Sequence, residues 1–243
     1  MVFSLALILS LVAVPTGAGH GRPFELLFTR DEVAVWRRLD ANTSLVDFRG
    51  QGVVAAPIDA VLAVLVDIER SEEWLVMCRE NKLIEERRLG HNLSYNRTAS
   101  PTALVSDRDA VVRAETQMQP QHRAVRYAFA GIDDPRRPPV AGVVRVPALE
   151  GFWHLTQLEP ARTAVIYQVR ADPGGAIPAW LANWGARDVP YRSIRSLQQR
   201  LRAGIDADLQ RRVRDQLDWS GFNLTSTTGG WTGQASALHK RGT

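Results

Sequence analysis

The chain of 243 residues contains one cysteine, Cys78. It can form no internal disulfide and no cysteine-based metal site. A lone thiol with no histidine or aspartate at a motif spacing reads as a small core residue rather than a nucleophile. Lysine is almost as scarce, at Lys82 and Lys240 only, so nearly all the positive charge is arginine. Thirty basic residues against 26 acidic ones leave a net charge of +4. No Lys/Arg block is long enough to argue for nucleic acid. The mild bias fits contact with an anionic membrane surface, and equally a solvated face. Of the five histidines, His20 and His239 are terminal, His91 and His122 fall in turn-like stretches, and only His154 lies in a strand pattern. No pair has the spacing of a metal-binding helix, no Gly-x-Ser-x-Gly elbow occurs, and no glycine-rich loop suits a phosphate. The carboxylate pairs Glu72-Glu73, Glu85-Glu86 and Asp133-Asp134 read as solvent-facing charge.

Apolar runs are short, the longest being residues 2–14, VFSLALILSLVAV. Pro15 breaks it and Thr16-Gly17-Ala18-Gly19 supplies small residues, so residues 1–19 read as a signal peptide, although the usual positive start is missing. The run falls short of the ~20 residues a spanning helix needs. The expectation is a secreted or periplasmic protein; the alternative is anchoring by an uncleaved segment. Asn-X-Ser/Thr sequons stand at Asn42, Asn92, Asn96 and Asn223.

What is present is enough for a folded core: 45% hydrophobic and 23% charged residues exclude wholesale disorder. Residues 25–40 read as an amphipathic helix with Leu26, Leu27, Val33, Val35, Trp36 and Leu39 on one side. Residues 45–49 and 53–55 read as a hairpin turning at Gly50-Gln51-Gly52. Pro57 opens a helix whose face is Val61, Leu62, Leu65 and Val66, and residues 67–74 read as a further short helix. From residue 77 the period changes to two, with runs at 78–88, 93–100, 109–118, 123–130, 140–146, 151–158 and 163–170. Short turns join them, which favours antiparallel neighbours and an α+β fold.

Asp172-Pro173-Gly174-Gly175 then makes a sharp turn. Pro178 suits a first helical turn. Ile177, Trp180, Leu181, Trp184, Tyr191, Ile194, Leu197 and Leu201 follow at helical spacing. This predicts a long amphipathic helix closing a space left by the sheet. Residues 203–219 read as an extra helix, and 220–243, rich in Gly, Ser and Thr, as a disordered tail.

The ordered set Ser106-Asp107-Arg108-Asp109-Ala110-Val111-Val112, Gly151-Phe152-Trp153-His154-Leu155, Leu158-Glu159-Pro160, DPGG at 172–175 and Ile177-Pro178-Ala179-Trp180-Leu181-Ala182-Asn183 resembles the START, or StAR-related lipid-transfer, family in its bacterial form. The resemblance extends from Phe24 to Arg202, with residues 23–202 as the domain. It implies a helix-grip fold: a curved antiparallel sheet wrapped around the C-terminal helix, enclosing a hydrophobic tunnel. It also implies non-covalent binding of a lipid, sterol or similar molecule for transport or sensing, with no cofactor. Related helix-grip proteins include cyclases and hydrolases, so an enzyme acting on a bound hydrophobic substrate stays open, with His154 or Asp109 as acid–base candidate.

In that family the SDRD arginine faces the cavity opposite an acid one strand earlier. Here the arginine is Arg108, and Tyr95-Asn96-Arg97 offers no acid. A buried guanidinium without a partner is costly. Arg108 must pair with Asp107 or Asp109, with another acid, or with an anionic ligand group. Alternation from Arg108 puts Ala110, Val112, Ala114, Thr116 and Met118 on one face, and Asp109, Val111, Arg113, Glu115 and Gln117 on a face that belongs in water. The small first face either walls a cavity or makes room for helix side chains, and the resemblance favours the cavity. Asn96, Tyr127, Trp153, Trp180 and Trp184 complete the candidate ligand-binding set with Arg108, Ala110, Val112 and Ala114.

Overall fold

The computed structural model describes residues 22–40, 45–100, 105–175 and 186–217. The first elements correct two of the expectations. β1 (Glu25–Arg30) and β2 (Val33–Leu39) form an antiparallel hairpin where an amphipathic helix was expected. Asp31 and Glu32, with φ of 48° and 59°, make the turn. Both lie in the left-handed region that a helix interior forbids. β3 (Val46–Val54) is then one continuous strand rather than a hairpin. Gly50 and Gly52 sit in its middle because a helix lies against them. A Cβ on Gly50 would stand 2.8 Å from Cβ of Pro190, and one on Gly52 3.3 Å from Cγ2 of Ile194. They are points of close approach, not a turn.

α1 (Ile58–Val66) begins after Pro57 as expected, but every one of its residues is buried, so it lies inside the molecule rather than showing one apolar face. A single 3-10 turn, Ser71–Glu73, stands where a short helix was expected. The antiparallel meander follows: β4 (Cys78–Arg88), β5 (His91–Thr98), β6 (Arg108–Gln119), β7 (Ala124–Ile132), β9 (Ala148–Glu159) and β10 (Arg162–Asp172). The run expected at 140–146 contributes only the two-residue β8 (Val144–Arg145), which pairs in parallel with β6. Strand order is β1-β2-β3-β10-β9-β7-β6-β5-β4, with every other pairing antiparallel. The return of β10 to β3 brings the two ends of the chain into one curved sheet.

The helix expected as one stretch from Ile177 to Leu201 is, within the described residues, α2 (Val189–Arg202), with Pro190 in its first turn. Proline cannot continue a helix entering from upstream, so α2 starts there. It packs on β2, β3 and β10, and Ile194 and Leu197 on that face are 0% exposed. α3 (Ala207–Gln216) is capped by the Asp206 side chain, which accepts from the amides of Asp208 and Leu209. It lies on α1, where Arg214 donates to buried Asp59 at 2.6 Å. A curved antiparallel sheet with a C-terminal helix on its inner face is the α+β, helix-grip arrangement. The leader at 1–19, Trp180, Leu181, Asn183, Trp184 and the tail at 220–243 lie outside the described residues.

Candidate functional site

The candidate site is the inner face of β5, β6, β7, β9 and β10. Strand alternation brings Arg108, Ala110, Val112 and Ala114 of β6 beside Asn92, Ser94 and Asn96 of β5 and Tyr127 and Phe129 of β7. Trp153 lies opposite Tyr127, and Tyr167 opposite Trp153. The rings form a continuous wall. Trp153 and Tyr167 stack at 4.4 Å, Tyr167 and Phe129 at 6.3 Å, and Trp74 meets Trp153 edge-on at 6.1 Å. Gly151 makes this possible: a Cβ there would stand 2.5 Å from Cζ of Phe129 and 2.4 Å from the Gln168 carbonyl oxygen.

Beside the rings runs a row of small and amide side chains. Ala110 and Ala114 are each 4% exposed, and Val112 is half-buried. Asn92 Nδ2 donates to Tyr127 Oη at 3.3 Å. Burial pushes Tyr127 up to about 12 and raises Tyr167 as well, so both phenols stay neutral donors. Among the described residues, Oδ1 of Asn81, Oδ1 of Asn92 and Nε1 of Trp74 are buried with no hydrogen-bond partner. Buried polar atoms left open in this way give the wall unspent hydrogen-bonding capacity. Asn96 is half-buried and binds neighbours rather than the arginine, donating to Cys78 Sγ at 3.5 Å and accepting from Thr98 Oγ1 at 3.1 Å. Asn92, which is buried, and half-buried Asn96 are strand residues on the inner face.

Arg108 stands at the end of this wall, against the DPGG turn. Its Nε donates to the Pro173 carbonyl at 3.3 Å and its Nη1 to the Ser106 carbonyl. Neither adjacent aspartate pairs with it. Asp107 is held by Arg79 at 3.0 Å and Arg97 at 2.8 Å. Asp109, 1% exposed, is held by Arg145 at 2.8 Å and by Tyr95 Oη at 3.1 Å. Among the described residues Arg108 therefore meets backbone carbonyls and no carboxylate.

The face of β6 expected in water divides: Arg113, Glu115 and Gln117 are exposed as expected, whereas Asp109 and Val111 are buried. Val111 on that face is buried with Leu93 and Tyr95, packed by Ile84 and Ile132, as a second small core. The segment between β7 and β9 is fastened beside it. The amides of Val144 and Val146 donate to the carbonyls of Asp107 and Asp109 at 3.0 and 2.9 Å, and Arg145 reaches Asp109. The same segment meets the DPGG turn: a Cβ on Gly174 would stand 2.9 Å from Cδ of Pro147, and one on Gly175 3.8 Å from Nη2 of Arg108. Gly174 and Gly175 adopt φ of 62° and 69°, conformations that favour glycine. Arg108, the turn and the fastened segment thus form one corner.

The structure brings Arg108, Asn96, Ala110, Val112, Ala114, Tyr127 and Trp153 onto one face. Trp74, Asn81, Asn92 and Ser94 join them, unforeseen. Counting back by two from Asn96 reaches Ser94 and Asn92, so two of these were within reach of the alternation; Trp74 and Asn81 depend on the packing of the 3-10 turn. His154 lies on the opposite face. Burial, then Arg126 and His122, hold its imidazole below the usual range. Burial lifts the Cys78 thiol to about 11, far from a reactive thiolate. Among the described residues no group of three or more His, Cys, Asp or Glu could hold a metal ion.

Comparison with known proteins places this geometry. The START domain profile matches residues 34–202. An uncharacterised protein of Pseudomonas aeruginosa is 29% identical over 182 residues, 75% of this chain and 88% of its own. Rat phosphatidylcholine transfer protein is 28% identical over 171 residues, 69% of this chain and 78% of its own. The crystal structure of a StAR-related lipid transfer protein fragment from Xanthomonas axonopodis superposes with a TM-score of 0.68 at 27% identity, covering 74% of this chain and 98% of that one. The chain belongs to the START domain family.

Proposed function

We propose that this protein binds one lipid-like molecule non-covalently against the inner face of β5–β7, β9 and β10, and carries it between membranes. The observation that supports this most is the wall itself. Among the described residues it joins stacked rings, two buried alanines and buried amide atoms without partners, and it ends at a guanidinium that meets no carboxylate. Apolar contact would supply most of the affinity, at roughly 25 cal/mol per Å² buried before ordering losses. Arg108 would hold an anionic group of the ligand in place of the missing acid. The corner at Gly174 and Gly175 is the entrance, and the segment bearing Arg145 must move for the ligand to pass. The names of the rat and Xanthomonas relatives, both lipid transfer proteins, favour the same reading.

Organic extraction of the purified protein followed by mass spectrometry should return one lipid class near one equivalent. Vesicle-to-vesicle transfer of that lipid should then be fast with the protein and slow with Arg108→Gln. A protein that is empty when purified and does not take up fluorescent phospholipid would overturn the reading. Binding without transfer would leave sensing as the role. Residues 1–19 support export of the chain; N-terminal sequencing of the protein recovered outside the cytoplasm should begin after them.

A further inference from the structure

The outer face of the sheet has a chemistry that the lipid-binding interior does not use. Across its centre, Arg49 of β3 is opposite Gln168 of β10, Gln168 opposite Phe152 of β9, and Arg126 of β7 opposite His154 of β9. Both arginines are half-buried, and both rest on aromatic rings. Cζ of Arg49 is 3.9 Å from the ring centre of Phe24, and Cζ of Arg126 is 3.4 Å from that of Phe152. Arg49 donates from Nε and Nη2 to one acceptor, Oε1 of Gln168, at 3.0 and 2.7 Å. That contact leaves Nε2 of Gln168 as a neutral donor beside the same space.

No carboxylate reaches either guanidinium among the described residues. Asp47, two residues before Arg49 on β3, is taken by Arg38 at 2.6 Å and by Arg170 at 2.6 Å. Arg170, by contrast, has three carboxylates around it, those of Asp40, Asp47 and Glu150. His154 beside Arg126 brings no negative charge. Burial and the charge of Arg38 hold Arg49 down at about 10; Asp47 pulls the other way, and Arg126 adds a smaller lowering. Burial alone lowers Arg126. A guanidinium drawn half out of water without a paired anion is destabilising. An oxyanion between them would reverse this, and the planar fork of arginine suits a tetrahedral oxyanion better than an ammonium does.

We propose that Arg49 and Arg126, seated on Phe24 and Phe152 with Gln168 between the strands that bear them, form a site for a phosphate-type oxyanion on the outer face of the sheet. The phosphate belongs to a lipid headgroup or to a free phosphate ester, and the test separates the two. The full-length protein is titrated with inorganic phosphate by calorimetry, and floated with vesicles of phosphatidylcholine with and without phosphatidylglycerol. The double variant Arg49→Gln/Arg126→Gln is compared with Arg202→Gln/Arg212→Gln, which removes the same charge elsewhere.

Loss of two charge-assisted contacts should weaken phosphate binding by at least about tenfold in the first variant only. Loss of both phosphate binding and vesicle flotation in the first variant identifies the headgroup as the source; loss of phosphate binding with flotation unchanged identifies the free ester. Arg126→Lys, which keeps the charge and loses the fork, should give an intermediate affinity and serves if the double variant does not fold. Equal binding by the wild type and both double variants, or no binding by the wild type, overturns the proposal. Extracted lipid should be the same in all of them, so an empty interior with the outer-face response intact would sink the lipid-binding reading and leave this one standing.

Discussion

The two halves of the sheet solve different problems with the same inner face. Under α2, on β2, β3 and β10, the face is filled. Val35 and Val165 are buried there, Gly50 and Gly52 let the helix come close, and Ile194 and Leu197 close the gap. On β5 and β6 the face has small and amide side chains, and among the described residues Oδ1 of Asn92 and, on neighbouring β4, Oδ1 of Asn81 are buried without a partner. Glycine in the first half brings backbone against backbone. Alanine in the second half keeps its Cβ and fills less of the face than a larger side chain would. Where a face is for packing, polar atoms are paired or absent; where it is for a ligand, some are left open.

Leu197→Ala should give the largest effect, because the residue is fully buried in the filled half. A loss of about 2–5 kcal/mol is expected in urea unfolding. Asp109→Ala removes the buried acid that holds Arg145 and Tyr95. Arg145 keeps 17% exposure, so the cost should be at the lower end of the roughly 3–5 kcal/mol seen for breaking a buried pair. Faster amide exchange in residues 140–147 should accompany it, and unchanged exchange there would show that the ion pair is not what fastens this segment.

Gly50→Ala sharpens the contrast. Its new Cβ meets Pro190, so overpacking of about 1–3 kcal/mol should lower the melting temperature. Ala114→Leu, an enlargement in the other half, should leave the melting temperature of lipid-free protein nearly unchanged while reducing bound lipid. If it instead destabilises the lipid-free protein as Gly50→Ala does, the second half is packed like the first and the comparison breaks.

The smallest effect is on pH dependence. His154 is buried with its imidazole held below the usual value of 6.5. The unfolded chain therefore binds that proton more readily, and stability rises with pH. This contribution is complete above the unfolded value and is lost as pH falls through it. His154→Gln should flatten the acid side of a stability–pH curve, leaving the slope from His91, which burial shifts the same way.

Much of this was legible in the residues. Period two from Cys78 onward located β4 to β7, β9 and β10 within a few residues, and Pro57 marked the start of α1. The alternation that grouped Ala110 and Ala114 with Arg108 holds in the register. Other readings failed where a local pattern has two solutions. Leu26, Leu27, Val33, Val35 and Trp36 fit one helix face or two short strands, and only the turn at Asp31 and Glu32 separates them. Gly50-Gln51-Gly52 fits a turn or a close approach, and the difference lies in Pro190 and Ile194, some 140 residues away.

The sequence by itself determined which residues share a face, because that depends on the two-residue repeat of an extended chain, a purely local property. It determined as well that Arg108 lacks an acid on the strand before it. What covers each face was decided only by the tertiary structure. That Asp107 and Asp109 are already paired, that Val111 and Tyr95 are sheltered by a segment beyond β7, and that Arg49 and Arg126 form no ion pair among the described residues are outcomes of strand order and register. They depend on segments far apart in the chain, and no local repeat encodes which distant side chains will meet.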